Sequence, residues 1–241
     1  MHARRPGVSR REWITVAVLA VAAVILTTVL VARPGASQEP SAGGAAPPTT
    51  SGDAAATGPL GDIARRIPGD PLALGAVDAP VVMVMFSDYR CPFCAQFSRE
   101  TEDELVSRYV DQGILRIEWR DFAIFGEQST VAAQAGRAAA AQGRFWEFNE
   151  AIFADAPDRG HIDLPDDRLV EYARQVGVAD LERFQAEMDS PANVEAVGAD
   201  LIEATALGVP STPAFVLNGA PILGAQPLEA FTTAIDAAIA G

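Results

Sequence analysis

Cys91 and Cys94 are the only cysteines in the chain, and they sit two residues apart where an apolar run meets a helical pattern. Val81–Phe86 (VVMVMF) is short, β-branched and free of charge, as a buried strand requires. Ser87-Asp88-Tyr89-Arg90 follows as a short loop. Cys91-Pro92-Phe93-Cys94 then opens AQFSRETEDELVSRYV, with helical spacing at Phe93, Phe97, Leu105 and Tyr109. Pro92 suits a first helical position, where its missing N–H is not needed. The pair is therefore expected where a strand ends and a helix begins.

Three chemistries compete for such a pair. Zinc needs four ligands, and the only histidines are His2 and His161, which do not form a second ligand pair. A purely structural disulfide across so short a loop removes little unfolded-state entropy. A redox-active pair is favoured, because a thiol at a helix N-terminus faces unpaired N–H groups that stabilise its thiolate. Cys91 is expected to be the exposed nucleophile and Cys94, one turn in, the resolving thiol. No metal and no cofactor are expected.

The remaining patterns give an α/β order. Ile114–Trp119 alternates as a second strand. A helical, Ala-rich stretch runs from Ser129 to about Ala154, broken near Gly143. Further helices are expected at 166–176, 180–188 and 191–207. Thr212–Leu217 returns to strand character, Asn218-Gly219 is a hairpin signal, Ile222-Leu223 pairs back, and 228–239 closes as an amphipathic helix.

Ahead of this part, Trp13–Ala32 is an uncharged run of twenty residues, about 30 Å long as a helix and so enough to cross a bilayer core. Four arginines precede it and Arg33 follows, which orients the N-terminus to the cytoplasm. The expected organisation is a basic cytoplasmic segment (1–12), a transmembrane helix (13–32), a flexible Pro/Ala/Gly/Ser-rich linker (33–59) and an extracytoplasmic domain (60–241) with a helical insertion at about 127–207. A cleaved signal peptide is the alternative, although its apolar stretch is usually about 7–15 residues. Either reading exports the domain. Net charge is −14 with 18 basic and 32 acidic residues, and the acidic excess lies in the domain. Nucleic acid is therefore not an expected partner.

FSDYRCPFC after a buried strand resembles the DsbA-like branch of the thioredoxin superfamily. So do QGRFWEFNEAIF (142–153) and GVPSTPAFVLNG (208–219). The resemblance extends from about Asp78 to Ala240. It implies a thioredoxin-like fold with an inserted helical subdomain, and exchange of a Cys91–Cys94 disulfide with thiols of exported proteins. It implies that Pro213 is cis beside the cysteines, and that the backbone at Thr212 can bind an extended substrate peptide. It also implies reoxidation by a membrane quinone-linked partner of the DsbB or vitamin K epoxide reductase type. A monomer is expected, since no dimerisation segment is read in the sequence.

The sequence departs from the family pattern in two places. Met85 stands six residues before Cys91, where these families often carry a buried carboxylate; Asp88 is the substitute, or else a turn residue. The dipeptide Pro92-Phe93 lacks a histidine, and Arg90 supplies a nearby charge if it is not simply solvent-facing. Phe86, Tyr89, Phe93, Trp146 and Phe215 are the aromatics expected near the site. A disulfide-forming oxidase is the leading function. A reductase or isomerase, for example in cytochrome c maturation, and a copper or zinc chaperone are the alternatives.

Overall fold

The computed structural model describes residues 58–240, which belong to one compact unit. The expected cytoplasmic segment, the transmembrane helix and nearly all of the linker lie outside the described residues. Among the described residues no helix is long and apolar enough to cross a membrane.

The strands are β1 (Ala73–Leu74), β2 (Val81–Ser87), β3 (Leu115–Asp121), β4 (Ala214–Leu217) and β5 (Ala220–Leu223). They form one five-stranded sheet among the described residues, in the order β1-β3-β2-β4-β5. β2 and β3 run parallel; the other pairs are antiparallel. Every residue of β2 is buried, as its uninterrupted apolar sequence dictates for a central strand. Asn218 and Gly219 both take positive φ, 44° and 83°, the backbone a tight hairpin needs. The two-residue strand β1 was not foreseen; it is too short to carry a periodic signal.

Helix α1 (Pro92–Phe97) follows the dithiol. Helical backbone continues through Ser98–Glu102, Asp103–Leu105 and Val106–Val110, the first and last of these with π-type turns. Its buried positions are Cys94, Ala95, Phe97, Thr101, Leu105 and Val110. The final gap of five matches a π turn, where the helix is locally wider. This phase leaves Phe93 exposed, so it does not share the apolar face expected for it.

The insertion comprises α2 (Glu127–Ala140), α3 (Phe145–Asp155), α4 (Asp166–Gln175), α5 (Leu181–Met188) and α6 (Pro191–Ala206), and α7 (Leu228–Ala240) ends the fold. The thioredoxin-like α/β arrangement with a helical insertion is as expected. The break near Gly143 separates α2 from α3. Asp180 and Ser190 cap α5 and α6 by accepting from the amides of Arg183 and Asn193.

The sheet separates two apolar clusters. Met83, Met85, Trp119, Phe215 and both cysteines share the larger one. Val82, Val84, Phe86 and Val216 share the smaller, covered by Ile63, Ala64 and the end of α6. Period-two alternation along β2 produces this division.

Candidate active site

β2 delivers the chain to the site, and Asp88 fixes the turn that follows. One of its carboxylate oxygens accepts from the Arg90 amide and the Ser129 hydroxyl, both at 2.8 Å. The other accepts from the amides of Ile124 and Phe125, at 2.7 and 3.2 Å. Asp88 is 1% exposed, and its acceptors are committed to holding two loops in place. Of the two roles considered for it, the geometry is that of a turn-builder.

The Cys91 amide donates to the Asp88 carbonyl at 3.1 Å, and the amides of Cys94 and Ala95 donate to the Cys91 carbonyl at 3.1 and 3.2 Å. Cys91 is thus the extended residue that caps α1, with Pro92 in the first turn. Both cysteines are free thiols. The Thr212–Pro213 peptide bond is cis, and the Cys91 thiol donates to the Thr212 carbonyl at 3.2 Å. Residues 121 positions apart in sequence therefore meet at the sulfur.

The two thiols are electrically unequal. The neighbouring Cys94 thiol, and after it the Thr212 side chain and the amides of Cys94 and Phe93, outweigh burial and lower the Cys91 pKa to about 6. The Thr212 carbonyl opposes this by favouring the protonated thiol, but the donors outnumber it. For Cys94, burial first and the Cys91 sulfur second push the pKa well above the ordinary range, against weaker help from the Ser87 hydroxyl and the Asp88 amide.

Exposure does not follow the same split. Cys91 is 1% exposed and Cys94 2%, so Cys91 is not the exposed thiol the sequence led us to expect. The Thr212 carbonyl meets its sulfur from the segment before Pro213. The asymmetry between the two thiols is therefore one of surroundings and not of exposure.

Arg90 is not solvent-facing. Its guanidinium donates to the carbonyls of Phe125 at 2.6 Å and Ile162 at 2.9 Å, clamping the loop after β3 to the loop after α3. His161 bonds the Arg90 carbonyl at 2.9 Å and packs on Phe125. Phe93 is 58% exposed beside the dithiol, and Pro92 is half-buried. Met85 is buried between Trp119 and Phe215 in the strand register. Tyr89 packs on Trp119, Phe148 and Phe153, and Trp146 packs on the same apolar cluster. Phe86 lies on the opposite sheet face, so it does not join the site; an even number of positions from Val82 and Val84 was the signal that placed it there.

Ser87 was missed by the sequence reading. It is the last residue of β2, on the face of Met83 and Met85, and its parity with those residues was the available sign. Among the described residues no cluster of three or more His, Cys, Asp or Glu side chains is arranged to hold a metal ion. What the arrangement can do is exchange disulfides: an acidic thiol attacks, and a basic buried thiol leaves or resolves.

A family model described as Thioredoxin matches residues 68–237. The Na(+)/H(+) antiporter NhaA of Herminiimonas arsenicoxydans is 34% identical over 167 residues, 69% of this chain and 25% of that protein. The chain thus spans about a quarter of the length of that relative. The Probable disulfide bond formation protein D of Bacillus cereus is 29% identical over 150 residues, 61% of this chain and 69% of its own. The crystal structure of oxidised BdbD from Bacillus subtilis superposes with a TM-score of 0.66 at 23% identity, covering 70% of this chain and 93% of that one.

Proposed function

The chain belongs to the thioredoxin family, and on that premise we propose that it is a thiol–disulfide oxidoreductase of the DsbA type, working outside the cytoplasm as a disulfide-forming oxidase for exported proteins. The observation that carries this reading is the unequal thiol pair beside the cis Thr212–Pro213 bond: Cys91 lowered to about 6 and Cys94 pushed up. A thiol that ionises readily is a good leaving group and makes the Cys91–Cys94 disulfide prone to reduction by substrate.

In the oxidising direction a substrate thiolate attacks the Cys91 sulfur. The Cys91–Cys94 bond breaks, and the electron pair leaves on Cys94. A second substrate thiolate attacks the substrate sulfur of the mixed disulfide and releases Cys91 as its thiolate. The substrate is oxidised by two electrons and the enzyme reduced by two. A membrane quinone-linked partner of the DsbB or vitamin K epoxide reductase type restores the disulfide, and an anchor at 13–32 keeps the monomeric domain near it. The name of the Bacillus cereus relative supports the direction of flow.

Cys94→Ala removes the resolving thiol and leaves Cys91 to hold its substrates. In intact cells this variant should accumulate mixed disulfides with exported, cysteine-containing proteins. Reduction potential measured against glutathione gives the direction: a value toward the DsbA end, near −120 mV, supports an oxidase, and one near thioredoxin's −270 mV makes it a reductase. Capture of no exported protein by a properly exported variant refutes the proposal.

A further inference from the structure

The stretch 58–67 lies ahead of residue 68, where the family match begins, and it is fastened to the domain along its length. The amides of Gly58 and Leu60 donate to the carbonyls of Asn218 and Gly219 at 2.8 and 3.0 Å. The amides of Arg65 and Arg66 donate to the two carboxylate oxygens of Glu118 at 2.9 and 2.8 Å. Arg66 takes a φ of 45°, a left-handed backbone that a residue with a Cβ keeps only when its surroundings hold it there. The buried Glu118 carboxylate supplies that hold.

Two further anchors of this strap act on α6. The Arg65 guanidinium donates to Asp200 at 2.6 Å and to Glu203 one turn further on. Asp200 is buried and also accepts from Arg137 of α2 and from the Asp121 amide of β3, so Arg65 grips α6 at a point already fixed to two other elements. Ile63 and Ala64 pack on the apolar cluster that holds Ala204 and Ala214, beside Leu207 and Val209.

The end of α6 is locked in turn to the segment that reaches the dithiol. Gly208, with a φ of 70°, closes the helix. Its amide donates to the Thr205 carbonyl at 3.1 Å, and the Val209 amide to the Ala204 carbonyl at 3.0 Å, the paired bonds of a glycine-terminated helix. Thr212 follows, Ala214 rejoins the cluster, and the Thr212 carbonyl accepts from the Cys91 thiol at 3.2 Å. The segment that carries Thr212 is therefore held on both sides by the cluster that Ile63 and Ala64 cover.

We propose that the strap 58–67 sets the Thr212 backbone in place for substrate peptides at Cys91, with Ile63 and Arg65 as positioning residues that act through α6. This rests on the oxidoreductase reading. A peptide must align along the backbone at Thr212 while its thiolate meets the Cys91 sulfur, whereas a small thiol needs only the sulfur. Orientation enters the first reaction and hardly the second. A loosened strap then slows exchange with peptides and spares exchange with small thiols.

The test uses the full-length oxidised protein with either an extended cysteine-containing peptide or reduced glutathione. In both reactions the incoming thiolate attacks the Cys91 sulfur, the electron pair leaves on Cys94, and a second thiolate attacks the first thiol's sulfur and releases Cys91. Acid quenching and mass spectrometry count the enzyme thiols formed with time. In Arg65→Ala and in Ile63→Ala, at a temperature where circular dichroism shows both folded, the peptide reaction should slow at least about fivefold, as loss of about one hydrogen bond does, while the glutathione reaction stays within about twofold. Arg66→Ala is the control. It removes bonds to the carbonyls of Val77 and Ala79, which lie off this path, so it should lower the melting temperature and leave the peptide-to-glutathione ratio unchanged. Ile63 is only half-buried, so Ile63→Ala keeps the proposal testable if Arg65→Ala folds poorly. An unchanged ratio in Ile63→Ala and in any folded Arg65→Ala overturns the strap's role alone, as does an equal loss in Arg66→Ala. Failure of the unsubstituted protein to react with either thiol overturns the oxidoreductase reading, and the positioning role with it.

Discussion

Replacing Cys94 by alanine should do more to Cys91 than remove its partner. Cys91 ionises at about 6, against about 8.5 for a free cysteine; that difference corresponds to roughly 3.4 kcal/mol of preference for the thiolate. At pH 7 about 90% of Cys91 is thiolate, where a free cysteine would show about 3%. The hydrogen bond from Cys94 is the largest contribution that lowers it, ahead of Thr212 and of the amides of Cys94 and Phe93. Cys94→Ala deletes that donor and leaves the others. The Cys91 pKa should therefore rise by at least about one unit, or about 1.4 kcal/mol, and the thiolate at pH 7 should fall to about half or below. Thiolate absorbance near 240 nm and iodoacetamide alkylation rates, each followed against pH, measure this directly. A Cys94→Ala variant that still titrates within a few tenths of a unit of the parent would show that the thiolate is not held by its neighbour. The same loss sets the condition for trapping: mixed disulfides should accumulate faster at pH 8 than at pH 7.

Three further outcomes follow from the same geometry. Because the folded Cys91 pKa lies below the unfolded one, it adds stability to the reduced protein above pH 8.5 that is lost as pH falls through 6. About 1.4 kcal/mol of this contribution remains at pH 7 and almost none at pH 5; denaturant unfolding of reduced and oxidised protein at both pH values should show the reduced-minus-oxidised difference change by that amount. Gly136→Ala would set a Cβ 2.1 Å from the Tyr89 hydroxyl oxygen, so it should destabilise by about 1–3 kcal/mol, and Tyr89→Phe should recover part of the loss in a double-mutant cycle. Arg90→Ala removes two charge-assisted bonds to carbonyls and should cost about 1.5–3 kcal/mol of stability while moving the Cys91 titration little, which melting curves and alkylation rates together would establish.

The sequence made some of this plain and hid the rest, for physical reasons. The run VVMVMF, the Cys-Pro-Phe-Cys spacing and Asn218-Gly219 are local signals, and β2, α1 and the hairpin stand where those signals put them. The thioredoxin-like arrangement with its helical insertion was readable because three separated motifs agreed. Arg116, Glu118 and Arg120 were harder. Their alternation in β3 reads as a strand with one polar face toward water, yet all three are buried. Glu118 accepts from the amides of Arg65 and Arg66 at 2.9 and 2.8 Å and pairs with Arg116 and Arg120. These donors lie more than fifty residues away or on the same strand, so no local pattern announces them. They hold the Glu118 pKa down to about 2 despite burial. The burial of Cys91 was hidden for a similar reason, since the carbonyl that meets its sulfur comes from Thr212, 121 residues away.

Tyr89 stands two residues before the reactive sulfur and is gripped by an indole from the sheet and two phenyl rings from the inserted helix α3. The insertion is therefore no detachable ornament on a smaller redox fold. Excising it would strip two of the three rings that hold the residue two positions before Cys91.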